Sequence, residues 1–172
     1  MVVDLREFDD FPVTVVLEAA PGEITSFAPE VTQVDRVTFQ LSIQKSGEEY
    51  FCQGTATAAV VMDCSRCAGS YRTDLSESTN FIIRSDTGLT GTEADVVDNE
   101  DYVLLHGHDA VADVTDMVRQ TLVLAVDLKP LCREDCKGLC PVCGTNLNER
   151  TCHCERNNSD GRWDGLKGLL QG

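Results

Sequence analysis

Val37-Thr38-Phe39-Gln40-Leu41-Ser42-Ile43 alternates apolar and polar side chains, and Ser46-Gly47-Glu48-Glu49 follows it as a hairpin turn. A period of two places Val37, Phe39, Leu41 and Ile43 on one face of a strand, whereas a helix would scatter them around its circumference. Beyond the turn, Tyr50 to about Asp63 reads as the partner strand, with Gly54 as the site of a bulge. Cys64-Ser65-Arg66-Cys67-Ala68-Gly69-Ser70 then forms a second turn before a strand from Tyr71 to Arg84. Upstream, Val13-Thr14-Val15-Val16-Leu17-Glu18 has the β-branched character of a further strand. Together these predict an antiparallel β meander or a partly open barrel.

Downstream, residues 85–101 are turn-rich and acidic and predict a long loop, followed by a short strand at Tyr102–Leu105. Val114, Met117, Val118, Leu122, Ala125 and Val126 then recur with a period near 3.6, so a helix is expected from an Asp113 cap to the stop at Lys129-Pro130. The fold class is therefore α+β, with one main helix and a cysteine-rich tail. The organisation expected is an acidic β-rich domain at 1–128, ending in that helix, and a zinc-binding tail at 129–172 packed on it. Trp163, Leu166 and Leu169 are spaced for one short amphipathic turn on the body, although Gly165 and Gly168 weaken a helix there.

The chain of 172 residues carries a formal charge of −15, unevenly placed. Residues 129–172 hold seven Lys or Arg against six Asp or Glu, so the excess of acid lies upstream. Ser85–Val118 contains nine acidic residues and no Lys or Arg, a solvated loop or a docking surface for a basic partner. Such a field repels bare nucleic acid. No apolar run approaches the roughly 20 residues of a membrane span, which excludes a helical membrane protein. The N-terminal Met1-Val-Val-Asp-Leu-Arg-Glu-Phe-Asp-Asp-Phe-Pro12 has acid where a secretory signal has positive charge. A bacterial-type cytoplasmic location is expected, where reduced thiols serve metal or redox chemistry in preference to disulfides.

Nine cysteines carry the chemistry. Cys140-Pro-Val-Cys143-Gly144 has the spacing of a zinc knuckle, two thiolates on one ion with a glycine free to take positive φ. Cys152-His153-Cys154 supplies a second pair, closing a ribbon-like loop through Asn146, Asn148 and Glu149. His153 is the alternative ligand if the one-residue gap prevents both sulfurs from converging. Cys132-Arg-Glu-Asp-Cys136 and Cys64-Ser-Arg-Cys67 are each half a site. Joined across the fold they would give two four-cysteine sites for one or two structural zinc ions, leaving Cys52 as a small buried apolar residue. Iron also accepts four thiolates, so spacing does not choose the metal. Cys64-x-x-Cys67 alone has the spacing of a catalytic dithiol, but it lies between antiparallel strands and lacks the helix N-terminus that lowers such a thiol's pKa. No catalytic triad, phosphate-binding glycine loop or His-Glu-x-x-His motif is present, and a closed four-thiolate site offers chemistry no open position.

The order of these motifs resembles the YceD family: a Cys-x-Arg-Cys turn, a helix ending Leu128-Lys-Pro-Leu-Cys132, then Cys136-Lys-Gly-Leu-Cys140-Pro-Val-Cys143-Gly-Thr-Asn-Leu-Asn148 and Cys152-His-Cys154. The ending Asp160-Gly-Arg-Trp-Asp-Gly-Leu-Lys167 is similar to that family's Asp-Pro-Arg-x-x-x-Leu, with Gly161 in place of Pro. The resemblance implies a part in accumulation of 23S ribosomal RNA, hence ribosome biogenesis. In bacteria the gene commonly neighbours that of a small basic large-subunit ribosomal protein, which offers a partner for the acidic segment. Some relatives lack the Cys140 knuckle but keep the Cys-x-Arg-Cys turn and a Cys or His near the position of Cys136, which favours pairing Cys64 and Cys67 with Cys132 and Cys136.

The function expected is a non-enzymatic assembly factor acting on the large-subunit precursor, with no membrane and no small-molecule substrate. Lys129, Arg133, Lys137, Arg150, Arg156 and Arg162 surround the cysteines and are the candidates for RNA phosphate contact. The alternatives are a protein-binding chaperone that holds a basic ribosomal protein without touching RNA, and a dithiol oxidoreductase.

Overall fold

The computed structural model describes residues 1–20, 22–24, 28–85, 102–105 and 110–155. Seven strands, β1 (Val2–Asp4), β2 (Val13–Ala19), β3 (Val31–Ser46), β4 (Glu49–Asp63), β5 (Ser70–Ser85), β6 (Tyr102–Leu105) and β7 (Val111–Asp113), precede helix α1 (Thr115–Leu124) in the described residues, and the longest of them, β3 to β5, are the segments read as strands from Val37 to Arg84. Five of the seven make one sheet in the order β2-β3-β4-β5-β6, curled into half a barrel, so the described residues are mostly β with one α-helix. The meander expectation holds from β2 to β5. It fails at β6, which pairs with β5 in parallel, Ile82 opposite Tyr102, so the sheet is mixed. The stretch that would decide this, 86–101, has no periodicity from which a strand direction can be read and lies outside the described residues.

The inward face follows the period of two. Val37, Phe39, Leu41 and Ile43 of β3 are buried, as are Cys52, Ala56, Ala58, Val60 and Met62 of β4 and Leu75, Phe81 and Ile83 of β5. The central strand carries small residues where its neighbours carry large ones. Phe39 and Phe81 reach across β4 and stack, ring centroids 6.4 Å apart at 22°, and a Cβ on Gly54 would lie 2.2 Å from Phe39 Cζ. Gly54 is therefore not a bulge. It pairs in regular register with Leu41 and Thr79, and its missing side chain is the space the Phe39 ring fills. The register irregularities fall instead near Val31 to Arg36 on β3.

Helix α1 closes the core by burying Val118, Thr121 and Leu122, with Val114 just ahead of it, against β4 and β5. It ends at Leu124, short of the expected stop at Lys129-Pro130, and Val126 N–H turns back to Val123 O at 3.3 Å. A second small sheet, for which the sequence carries no signal, joins β1 to β7 antiparallel. Three-residue strands are too short for periodicity to reveal.

The Asp113 carboxylate accepts from Thr115 N–H at 2.9 Å and from the Thr115 hydroxyl at 2.6 Å, so it serves the helix start as expected, although the formal N-cap position is Val114. The Thr115 hydroxyl and then its N–H hold the Asp113 pKa below the ordinary carboxylate value. A lowered folded pKa means that this contribution is present above the unfolded value of about 3.9 and disappears as the pH falls through the folded value. The side chain is 69% exposed, so Asp113→Ala is expected to cost only about 0.5–1 kcal/mol at pH 7. The gap between wild-type and variant urea midpoints should shrink on acidification towards pH 3.

Candidate metal centre

The eight motif cysteines fall into two groups, Cys64, Cys67, Cys132 and Cys136, and Cys140, Cys143, Cys152 and Cys154. Within each group the sulfurs all lie within 4.8 Å of one another. In the first, Cys64 Sγ is 3.8 Å from Cys136 Sγ and Cys67 Sγ is 3.8 Å from Cys132 Sγ, across 72 and 65 residues of chain. Four thiolates about 2.3 Å from one tetrahedral ion stand about 3.8 Å apart, whereas a disulfide would bring two of them to about 2.05 Å. The spacing is that of a cage around an ion, so both groups could hold a metal.

The two cysteine turns are built alike. In the β4–β5 turn, Cys64 N–H donates to Gly69 O at 3.1 Å and Ala68 N–H to Cys64 O at 2.9 Å. In the tail, Cys140 N–H donates to Thr145 O at 2.8 Å and Gly144 N–H to Cys140 O at 2.9 Å. The residue after the second cysteine has positive φ in both, +52° at Ala68 and +71° at Gly144. An alanine held there pays roughly 1–2 kcal/mol that glycine avoids, and the turn keeps the conformation all the same. The geometry aims backbone donors at sulfur, as Arg66 N–H does at Cys64 Sγ, 3.4 Å away.

The first group joins distant parts of the chain. Ser65 N–H donates to Pro130 O at 2.8 Å, Leu139 N–H to Arg66 O at 3.1 Å, and the Arg66 guanidinium to the carbonyls of Cys136 at 3.1 Å and Glu134 at 3.4 Å. Tyr71 and Leu131 pack over the sulfurs, of which only that of Cys132 belongs to a half-exposed residue. Gly138 permits this approach. Its φ is +72°, and a Cβ there would stand 2.9 Å from Arg66 O. Gly138→Ala should therefore lower stability by roughly 1–3 kcal/mol, seen as an earlier unfolding midpoint; an unchanged midpoint would mean that the tail does not press on the turn.

Asn148 links the two groups. It lies within the loop between Cys143 and Cys152, yet its Nδ2 donates to Cys136 Sγ at 3.3 Å and its Oδ1 accepts from Lys137 N–H at 2.8 Å. Asn146 steadies it by accepting from Asn148 N–H at 3.1 Å and donating to Glu149 at 2.9 Å. Cys152 and Cys154 both reach the second group and His153 is exposed, so the histidine alternative is not the arrangement adopted. The second group is the more open, with Cys140 buried, Cys143 exposed and the other two between. Cys52 is buried in the core, and burial pushes its thiol up to about 12.

The donor set also behaves as one that wants a cation. Burial would raise Cys64, but N–H groups of Cys132, Cys67 and Arg66 outweigh it and hold the thiol near 6. Burial, then the neighbouring thiols of Cys136, Cys64 and Cys67, push Cys132 up to about 12. In the second group the Thr145 hydroxyl and N–H hold Cys143 near 6, while Cys143 itself heads the causes that raise Cys154 to about 12. Four adjacent sulfurs cannot all be ionised without positive charge among them, which a divalent ion could supply.

Lys129, Arg133, Lys137 and Arg150 are exposed, with Arg133 3.4 Å from Asp135. Arg156 and Arg162 lie outside the described residues, as do the expected Trp163–Leu170 turn and most of the acidic 85–118 segment. Within that segment Asp113 and Asp116 are engaged at the start of α1, Asp116 with Arg119 at 3.0 Å. Arg66 and Gly138 are supports of the centre that sequence alone does not single out, and Asn148, legible as part of the loop between Cys143 and Cys152, is not legible as a partner of Cys136. Their signal is proximity to cysteines, which says nothing of which sulfur or carbonyl they meet.

A family model described as large ribosomal RNA subunit accumulation protein YceD matches residues 52–170, a span holding all eight motif cysteines. The chain is 30% identical over 111 residues to an uncharacterized protein of Mycobacterium leprae, covering 64% of this chain and 49% of that one. It is 30% identical over 155 residues to an uncharacterized protein of Mycobacterium tuberculosis, covering 88% of this chain and 70% of that one. A chloroplastic protein of Arabidopsis thaliana, named large ribosomal RNA subunit accumulation protein YCED homolog 1, is 34% identical over 59 residues, 34% of this chain and 18% of its own length. The chain thus spans about half the length of the first of these relatives. No solved structure matches.

Proposed function

Because the chain belongs to the YceD family, we propose that it serves the accumulation of large-subunit ribosomal RNA as a non-catalytic assembly factor, with zinc in both four-cysteine groups. The observation that carries this reading is the closed sulfur cage of each group, 3.8 Å across the sulfur pairs of the first. Four thiolates around zinc leave no position for substrate or water, so the metal's work is architectural. What it would hold in place is the stretch of residues 130–139, pinned to the β4–β5 turn, and we treat 1–128 and 129–172 as body and tail on that basis.

The tail then presents Lys129, Arg133, Lys137 and Arg150, with Arg156 and Arg162 further along the sequence, in a stretch of seven Lys or Arg against six Asp or Glu. These are the groups we assign to RNA phosphate. No described helix is long and apolar enough to cross a membrane, and a cytoplasmic site of action accompanies the ribosomal role. Affinity for a large-subunit RNA fragment should fall as salt rises, and Arg150→Ala should reduce the slope of log K against log salt by about 0.7–0.9, the share of one neutralised phosphate. Binding that ignores salt, or an Arg150→Ala protein with the wild-type slope, would remove the RNA contact from the proposal. In cells, deletion should lower large-subunit RNA relative to small-subunit RNA, and normal ratios in the deletion strain would remove the role itself.

A further inference from the structure

Among the described residues, strand β2 is the outermost of the five and bonds to β3 along one side only. Among the described residues no hydrogen bond reaches the other side of Val13–Ala19. An edge of this kind offers its outward N–H and C=O groups to another strand. The usual guards are few: Val13–Ala19 contains no Lys and no Pro, and its register with β3 is unbroken from Val13 opposite Ile43 to Ala19 opposite Val37.

Two further observations say what would fit. The core face is unfinished at this edge, because Val13, Val15 and Leu17 are half-buried while their partners Ile43, Leu41 and Phe39 are at 0% exposure. The sequence on either side of the strand is acidic, with Arg6 and Arg36 bounding the stretch and Lys45 on β3 beyond Ile43. From Glu7 to Asp35 there are seven carboxylates and no Lys or Arg, and Glu7, Asp9, Asp10, Glu18 and Glu23 are exposed. A second copy of the chain brought edge to edge would set these carboxylates against their equals, which the field opposes.

We propose that the outer edge of β2 docks an extended basic segment of a partner polypeptide, which adds as a sixth strand, lays alternate apolar side chains over Val13, Val15 and Leu17, and carries Lys or Arg between them. Backbone bonds would supply affinity and the alternation specificity. The inference goes beyond the metal and RNA reading and does not depend on it, since β2 lies outside both cysteine groups.

The test uses the full metal-loaded chain and a labelled, end-capped eight-residue peptide of alternating Lys and Val, with two further versions N-methylated on one or the other alternate set of amides. Strand addition requires one set to face β2. Methylating that set should weaken binding at least about tenfold, while the other set is tolerated. Hydrogen exchange at the β2 amides that point away from β3 should slow at least about tenfold on saturation. No binding, or equal binding of both methylated peptides without protection of β2, would overturn the proposal and leave at most a diffuse charge attraction. Sedimentation showing that the chain alone dimerises with its β2 amides protected would overturn it in favour of a second copy.

Discussion

Replacing Cys64 with Ser is expected to lower the bound metal from two ions per chain to one and to release the tail from the body. The sulfur removed is one of four in a group that draws on two segments, the β4–β5 turn and residues 132–136. A hydroxyl is a poor substitute in a thiolate cage. Structural zinc contributes on the order of 10–16 kcal/mol of apparent binding free energy at pH 7, comparable with the whole roughly 5–15 kcal/mol stability of a domain. The hydrogen bonds that cross the same junction, Ser65 to Pro130, Leu139 to Arg66 and the Arg66 guanidinium to the Cys136 and Glu134 carbonyls, contribute only about 0.5–3 kcal/mol each, less in sum than the metal. Protease should then cut between residues 125 and 140 in the variant and spare the wild type.

Cys143→Ser supplies the contrast. It too should leave one ion, but the second group draws only on residues 140–154, so the tail should stay attached and the unfolding midpoint should change less. Elemental analysis of reduced protein purified without a metal-affinity tag, with both variants side by side, decides the matter. Two ions remaining in Cys64→Ser, or no metal in the wild type, would sink the paired-site reading.

Gly54→Ala is the second substitution with a large expected effect, and it concerns the body alone. The new Cβ would meet Phe39 Cζ at 2.2 Å and Cε2 at 2.4 Å, far inside contact distance. Phe39 has nowhere to go, being fully buried and stacked on Phe81. Overpacking of a rigid aromatic should cost roughly 2–3 kcal/mol, at the upper end for an added methyl. Denaturant unfolding should show a lower midpoint with an unchanged slope. Gly54→Ala combined with Phe39→Leu should recover part of the loss relative to the sum of the single variants, because the space one takes the other vacates. A single variant as stable as wild type would show that the ring does not lie over the glycine.

The reasons for these two effects are unevenly legible in the sequence. That Val37, Phe39, Leu41 and Ile43 share a buried face can be read from their alternation, since side-chain direction in a strand is set one residue at a time. Gly54 is visible as an anomaly in β4 but reads as a bulge, because a strand glycine signals either a kink or the close approach of another group. Only Phe39, fifteen positions earlier and on another strand, decides between them. The tail shows the same division. Cys140-x-x-Cys143-Gly144 announces its own turn, whereas Cys64 and Cys67 are half of something whose other half lies more than sixty residues on.

By itself, then, the sequence determined whatever a few neighbouring residues can settle: the strands β2 to β5, the apolar side of β3, the helix that follows Asp113, the two cysteine turns and the family. These rest on periodicity, turn chemistry and spacing, all of which act over one or two turns of chain. Tertiary structure alone decided the parallel docking of β6, the β1–β7 pair, the early end of α1, the meeting of Phe39 with Gly54, and the supports that Arg66, Gly138 and Asn148 give to sulfurs and carbonyls outside their own motifs. The physical reason is that these depend on which surfaces can be buried together once register is set, and local pattern specifies a surface without specifying its partner.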